Sequence, residues 1–381
     1  MADYTINTKA IVTTPSKDGK LNWNMHNVKL RNPHEDEVLV RVVAVGICHT
    51  DIVMSHIPSE YGLYPKVLGH EGAGVVEKVG SKITHVKPGD YVVLSFDSCE
   101  NSSCYNCKNG HPSYCTAFTA KNVMAVPGVY KLEDGQAAAG SYFGQSSFSE
   151  FALVQEKSAV NVSDLIKSEE ELKLFAPFGC GFQTGAGAVT ETADVQAGDE
   201  IAVFGLGGVG MLAVMAARIR GCRTIIGVDR VQSRLDIAKS VGATHVINTS
   251  GFENLEDDVA AAIRSICPAG TNCNVDTTGV LGIVQVGLAA LQPKGQLVLI
   301  GIMRGLTLPI DLGTFLATGV SIRACIEGSA LPKKYIPQMI EWYRDGKLPI
   351  EKIIKQYAAE DFEAALEEMH TGAVIKPVLI W

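Results

Sequence analysis

Residues 199–210 read Asp199-Glu-Ile-Ala-Val-Phe-Gly205-Leu-Gly207-Gly208-Val209-Gly210 and run on as Met-Leu-Ala-Val-Met-Ala-Ala-Arg218. An apolar strand enters a glycine turn and leaves as a helix. Gly205 permits the tight turn, Gly207 lets the backbone approach a pyrophosphate, and Gly210 lets the helix pack closely on the strand. The helix N-terminus, with Gly208 and Val209 in its first turn, faces the phosphates. A second strand, Thr224-Ile-Ile-Gly-Val228, ends at Asp229, about twenty residues past the turn. A carboxylate there accepts hydrogen bonds from both adenosine ribose hydroxyls and repels a 2′-phosphate, which favours NAD over NADP. Arg230 beside it leaves the phosphorylated cofactor open, and the competing reading of Asp229 is a plain N-cap for a helix over 231–240.

Strand and helix go on alternating outward from this unit: His245-Val-Ile-Asn248, a helix over 258–266, Cys273-Asn-Val-Asp276, a helix over 281–291 and Gln296-Leu-Val-Leu-Ile300. That order predicts a doubly wound parallel sheet, a Rossmann domain over 183–324. Cys222, Cys267, Cys273 and Cys325 lie in or beside it without ligand spacing and read as buried or free thiols.

Before residue 180 the pattern changes to short β-rich runs, 38–45, 74–79 and 91–94, cut by glycine and proline. They predict a small all-β barrel with elaborated loops. At the ends of these runs stand Gly46-Ile-Cys48-His49-Thr50-Asp51 and Leu68-Gly69-His70-Glu71-Gly72, and later Phe178-Gly-Cys180-Gly-Phe-Gln-Thr184-Gly185. Two thiolates and an imidazole, Cys48, Cys180 and His70, would make an open three-ligand zinc site whose fourth position takes water or a substrate oxygen. Each alone also reads as a buried small side chain or a satisfied polar one, and spacing does not bring them together.

Cys99, Cys104, Cys107 and Cys115 form a second cluster, with Gly110 and Pro112 in its loop. A Cys-x-x-Cys pair flanked by further cysteines closes a tetrahedral thiolate cage with no open position, so it shapes a loop and does no chemistry. The alternative, two disulfides, needs an oxidising compartment. The N-terminus MADYTINTKA lacks a charged start followed by an apolar core, so a cytoplasmic protein is expected.

The 381 residues exceed one core and predict two domains, each able to bury its own. With 46% hydrophobic and 19% charged residues the composition is that of a compact soluble protein. No run of about eighteen apolar residues predicts a membrane span. The net charge of -8 is spread along the chain, which disfavours nucleic acid as a partner.

Taken together, Gly69-His-Glu-Gly-Ala-Gly74, the four-cysteine lobe, Cys180-Gly-Phe-Gln-Thr-Gly185 and Gly205-Leu-Gly-Gly-Val-Gly210 occur in the order found in the zinc-dependent medium-chain alcohol dehydrogenases, which the chain resembles over essentially its whole length. Cys48-His-Thr-Asp-Ile-Val53, Ser141-Tyr-Phe-Gly-Gln-Ser-Ser-Phe148 and Gly181-Phe-Gln-Thr-Gly-Ala-Gly-Ala188 most resemble the benzyl, or aryl, alcohol dehydrogenase branch. The resemblance implies a GroES-like catalytic domain over 1–182 and 325–381 beside the Rossmann domain. It implies a catalytic zinc on Cys48, His70 and Cys180 and a structural zinc on the lobe, two per subunit. Asp51 and Glu71 match carboxylates behind the ligands, Thr50 the hydroxyl that bonds the substrate alcohol, and Thr184 a nicotinamide-side contact. His49 and Lys376 match pyrophosphate contacts, the alternative for Lys376 being a solvated surface charge. Phe96, Tyr142 and Phe143 are candidates for an aromatic substrate pocket, against the commoner role of core packing.

By the same resemblance the activity is NAD-dependent interconversion of a primary aromatic or allylic alcohol with its aldehyde. A biosynthetic aldehyde reductase using NAD(P)H, and a non-catalytic nucleotide-binding relative, remain as rivals. The run Leu306-Thr-Leu-Pro-Ile310 resembles the family's subunit-pairing edge strand, so a homodimer or homotetramer is expected. Two departures stand out. Cys99-Glu-Asn-Ser-Ser-Cys104 is two residues longer than the usual opening of the lobe, so Cys99 is the ligand least supported by the pattern, although a longer loop can still reach. Val53 stands where many relatives carry a proton-relaying histidine, and His56 is not an evident substitute.

Overall fold

The computed structural model describes residues 3–60, 62–101 and 103–381. Met1 and Ala2 of the N-terminal stretch, and Ser102 of the long lobe loop, lie outside the described residues. The chain divides into two compact units, one of residues 1–181, 331–341 and 354–381 and one of residues 182–330 and 342–353. The first division falls within a residue of the sequence-derived boundary. The return differs, because the helix Pro332–Arg344 has its first part in one unit and its end in the other.

In the first unit a closed barrel is formed by Tyr4–Thr13, Trp23–Arg31, Val126–Leu132, Ala137–Gly140 and Lys66–Val67. A second sheet orders Ala159–Asn161, Tyr91–Leu94, Gly72–Val79, Glu37–Gly46, Lys376–Ile380 and Ile354–Ala358, with Phe151–Gln155 also paired to Glu37–Gly46. Glu37–Gly46 (EVLVRVVAVG) is buried almost throughout. Partners on its edges and packing on both faces account for that, and for its near-continuous valine. The C-terminal strand joins this sheet antiparallel, Val378 opposite Gly46, as the run ending at Trp381 suggests. One core holds the unit together, including Ile11, Leu30, Val40, Leu68, Leu94 and Phe148, all but excluded from solvent.

The second unit is a six-stranded parallel sheet in the order His245–Asn248, Thr224–Asp229, Glu200–Phe204, Thr271–Asp276, Leu291–Leu299, Ser321–Ala324. Chain order 3-2-1-4-5-6 is the doubly wound arrangement, reversing at the strand that feeds the glycine turn. Thr224–Asp229 is buried at every residue. The helix Gly208–Ile219 buries Gly210 to Ala217, a stretch with no polar side chain whose alanines pack without loss of side-chain entropy.

One sequence expectation fails here. Residues 306–310 form no strand; the sheet's edge on that side is Ser321–Ala324. Pro309 removes a ladder N–H, and the hydrophobic alternation around it reflects packing of Leu308 under the sheet's end.

A buried ion pair ties two strands of the first unit. Arg31 donates from Nη1 and Nη2 to Glu37 Oε2 and Oε1 at 2.6 and 2.7 Å, and both side chains are under a tenth exposed. Burial alone would raise the Glu37 carboxyl, but hydrogen bonds from Arg31 and from His34 N–H bring it below its usual 4.5. A depressed carboxylate stabilises the fold above its unfolded pKa and loses that stabilisation as pH falls through the folded value. Glu37→Gln, which leaves the guanidinium unpaired, should cost about 3–5 kcal/mol at neutral pH. Urea unfolding of both proteins at pH 7 and pH 4 checks this, with the gap between them narrowing at the lower pH.

Candidate metal centres and glycine turn

Cys48, His70, Glu71 and Cys180 bring one ligand atom each to within 4.8 Å of one another in the interior of the first unit. Cys48 lies two residues past the strand Glu37–Gly46 and N-caps the short helix His49–Ser55, keeping partial exposure. Asp51, in that helix's first turn and fully buried, accepts Cys48 N–H on Oδ2 at 3.1 Å. Its Oδ1 accepts Gly69 N–H at 3.1 Å and faces His70 Nδ1 at 2.9 Å. His70 follows Gly69, whose φ of +84° and whose contact with the Phe148 backbone, 2.4 Å from an added Cβ, both require glycine. Cys180 follows Gly179, where a Cβ would fall 1.8 Å from Leu94 O.

With Nδ1 held by a carboxylate, the imidazole carries its proton there and leaves Nε2 as a lone pair. Nε2 is buried and finds no hydrogen-bond partner among the described residues. It shares the cluster with the Cys48 and Cys180 sulfurs. A desolvated imidazole lone pair among two thiols suits a soft, tetrahedral dication such as zinc. The electrostatics agree: a hydrogen bond from Cys180, with His70 and Lys376 nearby, holds Cys48 well below the usual thiol range in spite of burial.

Glu71 and Lys376 meet behind this centre. Glu71 Oε1 accepts Gly181 N–H at 3.0 Å, Oε2 lies 2.5 Å from Lys376 Nζ, and Lys376 also donates to Ile47 O at 3.1 Å. Burial pushes the Glu71 carboxyl up to about 7, and Lys376 offsets this only in part. Lys376 is 5% exposed, so the surface-charge alternative is corrected: its cation serves the buried carboxylate, and any contact with a cofactor must coexist with that pair. Gly46 makes room, since a Cβ there would sit 2.1 Å from Glu71 Oε2.

Thr50 Oγ1 lies 3.7 Å from Cys48 Sγ. His49 and His56 are exposed, at the start of the helix and just past its end, with Val53 between them. Phe96, Tyr142 and Phe143 are nearly excluded from solvent and belong to the core of the first unit, and two of them, Tyr142 and Phe143, lie against the metal-type histidine. Phe143 stacks on His70 with ring centroids 4.6 Å apart, and Tyr142 meets it edge-on at 5.5 Å. Phe118 extends the set, 5.8 Å from Phe96 and 6.1 Å from Phe143. Phe118 went unnoticed in the sequence because it lies in a stretch with no periodicity of its own.

The lobe cysteines Cys99, Cys104, Cys107 and Cys115 also place their sulfurs within 4.8 Å of one another, Cys99 among them despite its longer loop. All are free thiols. Cys99 and Cys107 sulfurs are 3.6 Å apart, well beyond a disulfide's roughly 2.05 Å. Backbone groups of Cys107 and Thr116 hold Cys104 at about 6, whereas burial and the other three thiols push Cys107 far above its usual value. Four thiolates so close repel one another, and a dication at their centre removes that cost. Cys222, Cys267, Cys273 and Cys325 stay free, all but Cys222 buried.

In the second unit Gly205 has φ +83° and abuts Thr277, and a Cβ on Gly210 would fall 1.8 Å from Gly205 O. Around Gly207, the N-cap of the helix that Gly208, Val209 and Gly210 begin, an added Cβ meets nothing within 4 Å. Close packing thus explains two of the glycines, and the third opens onto free space at a helix N-terminus, where an anion is favoured. Asp229 accepts Leu206 N–H at 2.7 Å and Val231 N–H at 2.9 Å, and the N-cap of the next helix is Val231. That removes the plain N-cap reading. Arg230 is exposed, and Arg234, not singled out from the sequence, comes to 4.0 Å of Asp229. Thr184 is buried in the helix Gly181–Gly187.

Comparison with known proteins gives matches along the whole chain. The alcohol dehydrogenase GroES-like domain family matches residues 34–164 and the zinc-binding dehydrogenase family residues 208–345. The chain is 36% identical to a geraniol dehydrogenase of Castellaniella defragrans over 93% of each chain. It is 31% identical to an S-(hydroxymethyl)glutathione dehydrogenase of Paracoccus denitrificans over 93% of this chain and 95% of the other. The crystal structure of a benzyl alcohol dehydrogenase from Acinetobacter calcoaceticus superposes with a TM-score of 0.88 at 35% identity, covering 99% of both chains.

If the lobe is a closed metal cage, Cys107→Ser should lose one equivalent of zinc and lower the melting temperature by several degrees. Metal analysis and a thermal melt of the same sample, compared with Cys222→Ser as a control away from either cluster, check both.

Proposed function

This chain belongs to the zinc-dependent medium-chain alcohol dehydrogenases, and we propose that it interconverts primary aromatic or allylic alcohols with their aldehydes, passing hydride to or from NAD(H). The observation that carries the reading is the convergence of Cys48 Sγ, His70 Nε2 and Cys180 Sγ, with Asp51 on the far nitrogen of the imidazole. These three would hold a catalytic zinc, and the four lobe cysteines a structural one. A bound zinc supplies Lewis acidity that lets an alcohol hydroxyl ionise near neutral pH.

The remaining work falls to the chain's own side chains. Thr50, beside Cys48, accepts the substrate hydroxyl's hydrogen bond and, as that proton arrives, passes its own hydroxyl proton on to water. Asp51 keeps His70 in the tautomer that leaves Nε2 free to coordinate. Glu71 and Lys376 balance charge behind the centre. On the cofactor side, the open space at Gly207 receives the pyrophosphate, Asp229 the adenosine ribose and Thr184 the nicotinamide side, with His49 as a further phosphate contact. Asp229 favours NAD; Arg230 and Arg234 are the groups that would serve NADP in a reductive role.

The preference for a flat, unsaturated substrate is supported by the aromatic surroundings of His70, with Tyr142 and Phe143 against its ring and Phe118 and Phe96 beyond them, which suit an aromatic ring or an allylic π-bond. The geraniol and benzyl alcohol dehydrogenases among the similar proteins carry such substrates in their names. We place the protein in the cytoplasm, where ten free cysteines stay reduced. We also propose a homo-oligomer paired through the open edge Ser321–Ala324, beside which Leu312 and Leu316 stand 76% and 84% exposed. Leu316→Lys should reduce the mass in solution, read by light scattering, with turnover retained.

The deciding assay is NADH formation with benzyl, cinnamyl, allylic and short aliphatic alcohols, with NADP and a chelator in parallel. Chelator-sensitive, NAD-dependent turnover favouring the aromatic and allylic alcohols is expected, and Cys180→Ser should abolish it while NADH still binds. A Cys180→Ser protein with full activity would refute the metal assignment. NADPH-driven aldehyde reduction outpacing alcohol oxidation would establish the reductive role instead.

A further inference from the structure

Much of the backbone that carries His70 and Glu71 is bonded by one loop, residues 145–148, beside the bonds from Gly69 N–H to Asp51 and from Gly46 N–H to Glu71 O. Ser146 Oγ donates to Val67 O at 2.7 Å, Phe148 N–H to Leu68 O at 3.0 Å and Ser147 N–H to Gly69 O at 2.9 Å. At the histidine itself the bonding passes to one side chain. Gln145 Nε2 donates to His70 O at 3.0 Å and to Ser95 O at 3.2 Å. Its Oε1 accepts Gly72 N–H at 3.1 Å and Ser147 Oγ at 2.9 Å. Gln145 is completely buried.

A carboxamide has two N–H donors and two acceptor lone pairs, and here every one is used. The groups it satisfies lie on either side of Glu71, immediately next to two members of the metal cluster. No glutamate could replace it, because a carboxylate donates nothing to the two carbonyls. The loop also accepts unusual backbone to bring the amide there: Ser141, Phe143 and Ser146 have φ of 57°, 51° and 58°. Such conformations persist where the surroundings over-determine them. Phe143, in this left-handed conformation, is the residue stacked on the His70 ring.

We propose that Gln145 is a positioning residue of the metal centre: by holding the His70 carbonyl and the Gly72 N–H it sets where His70 Nε2 and the Glu71 carboxylate point. The assignment rests on the reading of Cys48, His70 and Cys180 as zinc ligands. Asp51 fixes the far side of the ring, Phe143 its face, and Gln145 the main chain from which it hangs. Groups that orient ligands in this way typically change metal affinity about 10- to 100-fold when removed.

The test uses the full chain and its Gln145→Glu and Gln145→Met variants. Zinc release to a chromogenic chelator is followed over time, and the visible ligand-field bands are recorded after cobalt replaces zinc. In variants whose circular dichroism matches the parent, one of two zinc ions should leave about 10- to 100-fold faster while the other keeps the parent rate. The cobalt bands should shift as well, a change that loss of general stability would not produce. Parent release rates and parent bands in a folded variant would overturn the proposal. Should neither variant fold, Ser147→Ala, which removes a single bond to Oε1, decides: faster release of one zinc supports the proposal, and parent rates overturn it. If Cys180→Ser does not lower the zinc content of the parent, the metal reading itself fails and takes the assignment with it. If it does, unchanged Gln145 variants count against the assignment alone.

Discussion

The Asp51 carboxylate receives Cys48 N–H on one oxygen, and Gly69 N–H and the His70 imidazole on the other, at 2.9 to 3.1 Å. A buried carboxylate left short of such donors would be costly, and this one has them from two separate loops. The helix His49–Ser55 and the loop before Gly72–Val79 therefore cannot drift apart without exposing a charge to an apolar interior. Around that constraint the rest of the centre falls into order: the imidazole tautomer is set, Nε2 turns to the thiols, and the Cys48 sulfur is fixed at the N-cap.

The same interior tolerates a second ionic pair because its geometry is equally complete. Glu71 takes Gly181 N–H and the Lys376 cation, while Lys376 is shared with the Ile47 carbonyl. Two buried charges without these neighbours would not survive burial as ions. The two metal-type clusters differ accordingly. The lobe offers four sulfurs and closes on itself, whereas the inner cluster mixes sulfur, nitrogen and carboxylate, is backed by Asp51 and Lys376, and is walled by aromatic rings.

Glycine sets how closely these parts approach. At Gly46, Gly179 and Gly210 a methyl group would collide with the Glu71 carboxylate, the Leu94 carbonyl and the Gly205 carbonyl respectively. Each such position joins a functional residue to the scaffold, so the glycines flanking Cys48 and Cys180 are as much a part of the centre as the ligands. At Gly207 the opposite holds: an added Cβ would meet nothing within 4 Å.

Much of this was legible in the chain. The strand, glycine turn and helix over 199–218, the carboxylate at Asp229, the valine-rich strands 37–46, 72–79 and 91–94 (though they join the second sheet and not the closed barrel) and the four lobe cysteines are local patterns. Their meaning depends on neighbours a few residues away, through side-chain period and turn chemistry, and motif order then carried the family resemblance. What sequence could not decide was long-range. Leu306 to Ile310 has strand-like composition, yet Pro309 and packing make it irregular. The alternative of Lys376 as a surface cation fell only when the fold showed it buried against Glu71. Gln145 and Phe118 carried no signal, because an amide or a ring acquires a role only from what the fold sets against it. The convergence of Cys48, His70 and Cys180 is of that kind: the sequence determined which donors the chain carries, and tertiary structure alone, by packing two loops against the Asp51 carboxylate and the third against backbone that only glycine admits at Gly179, determined that they meet.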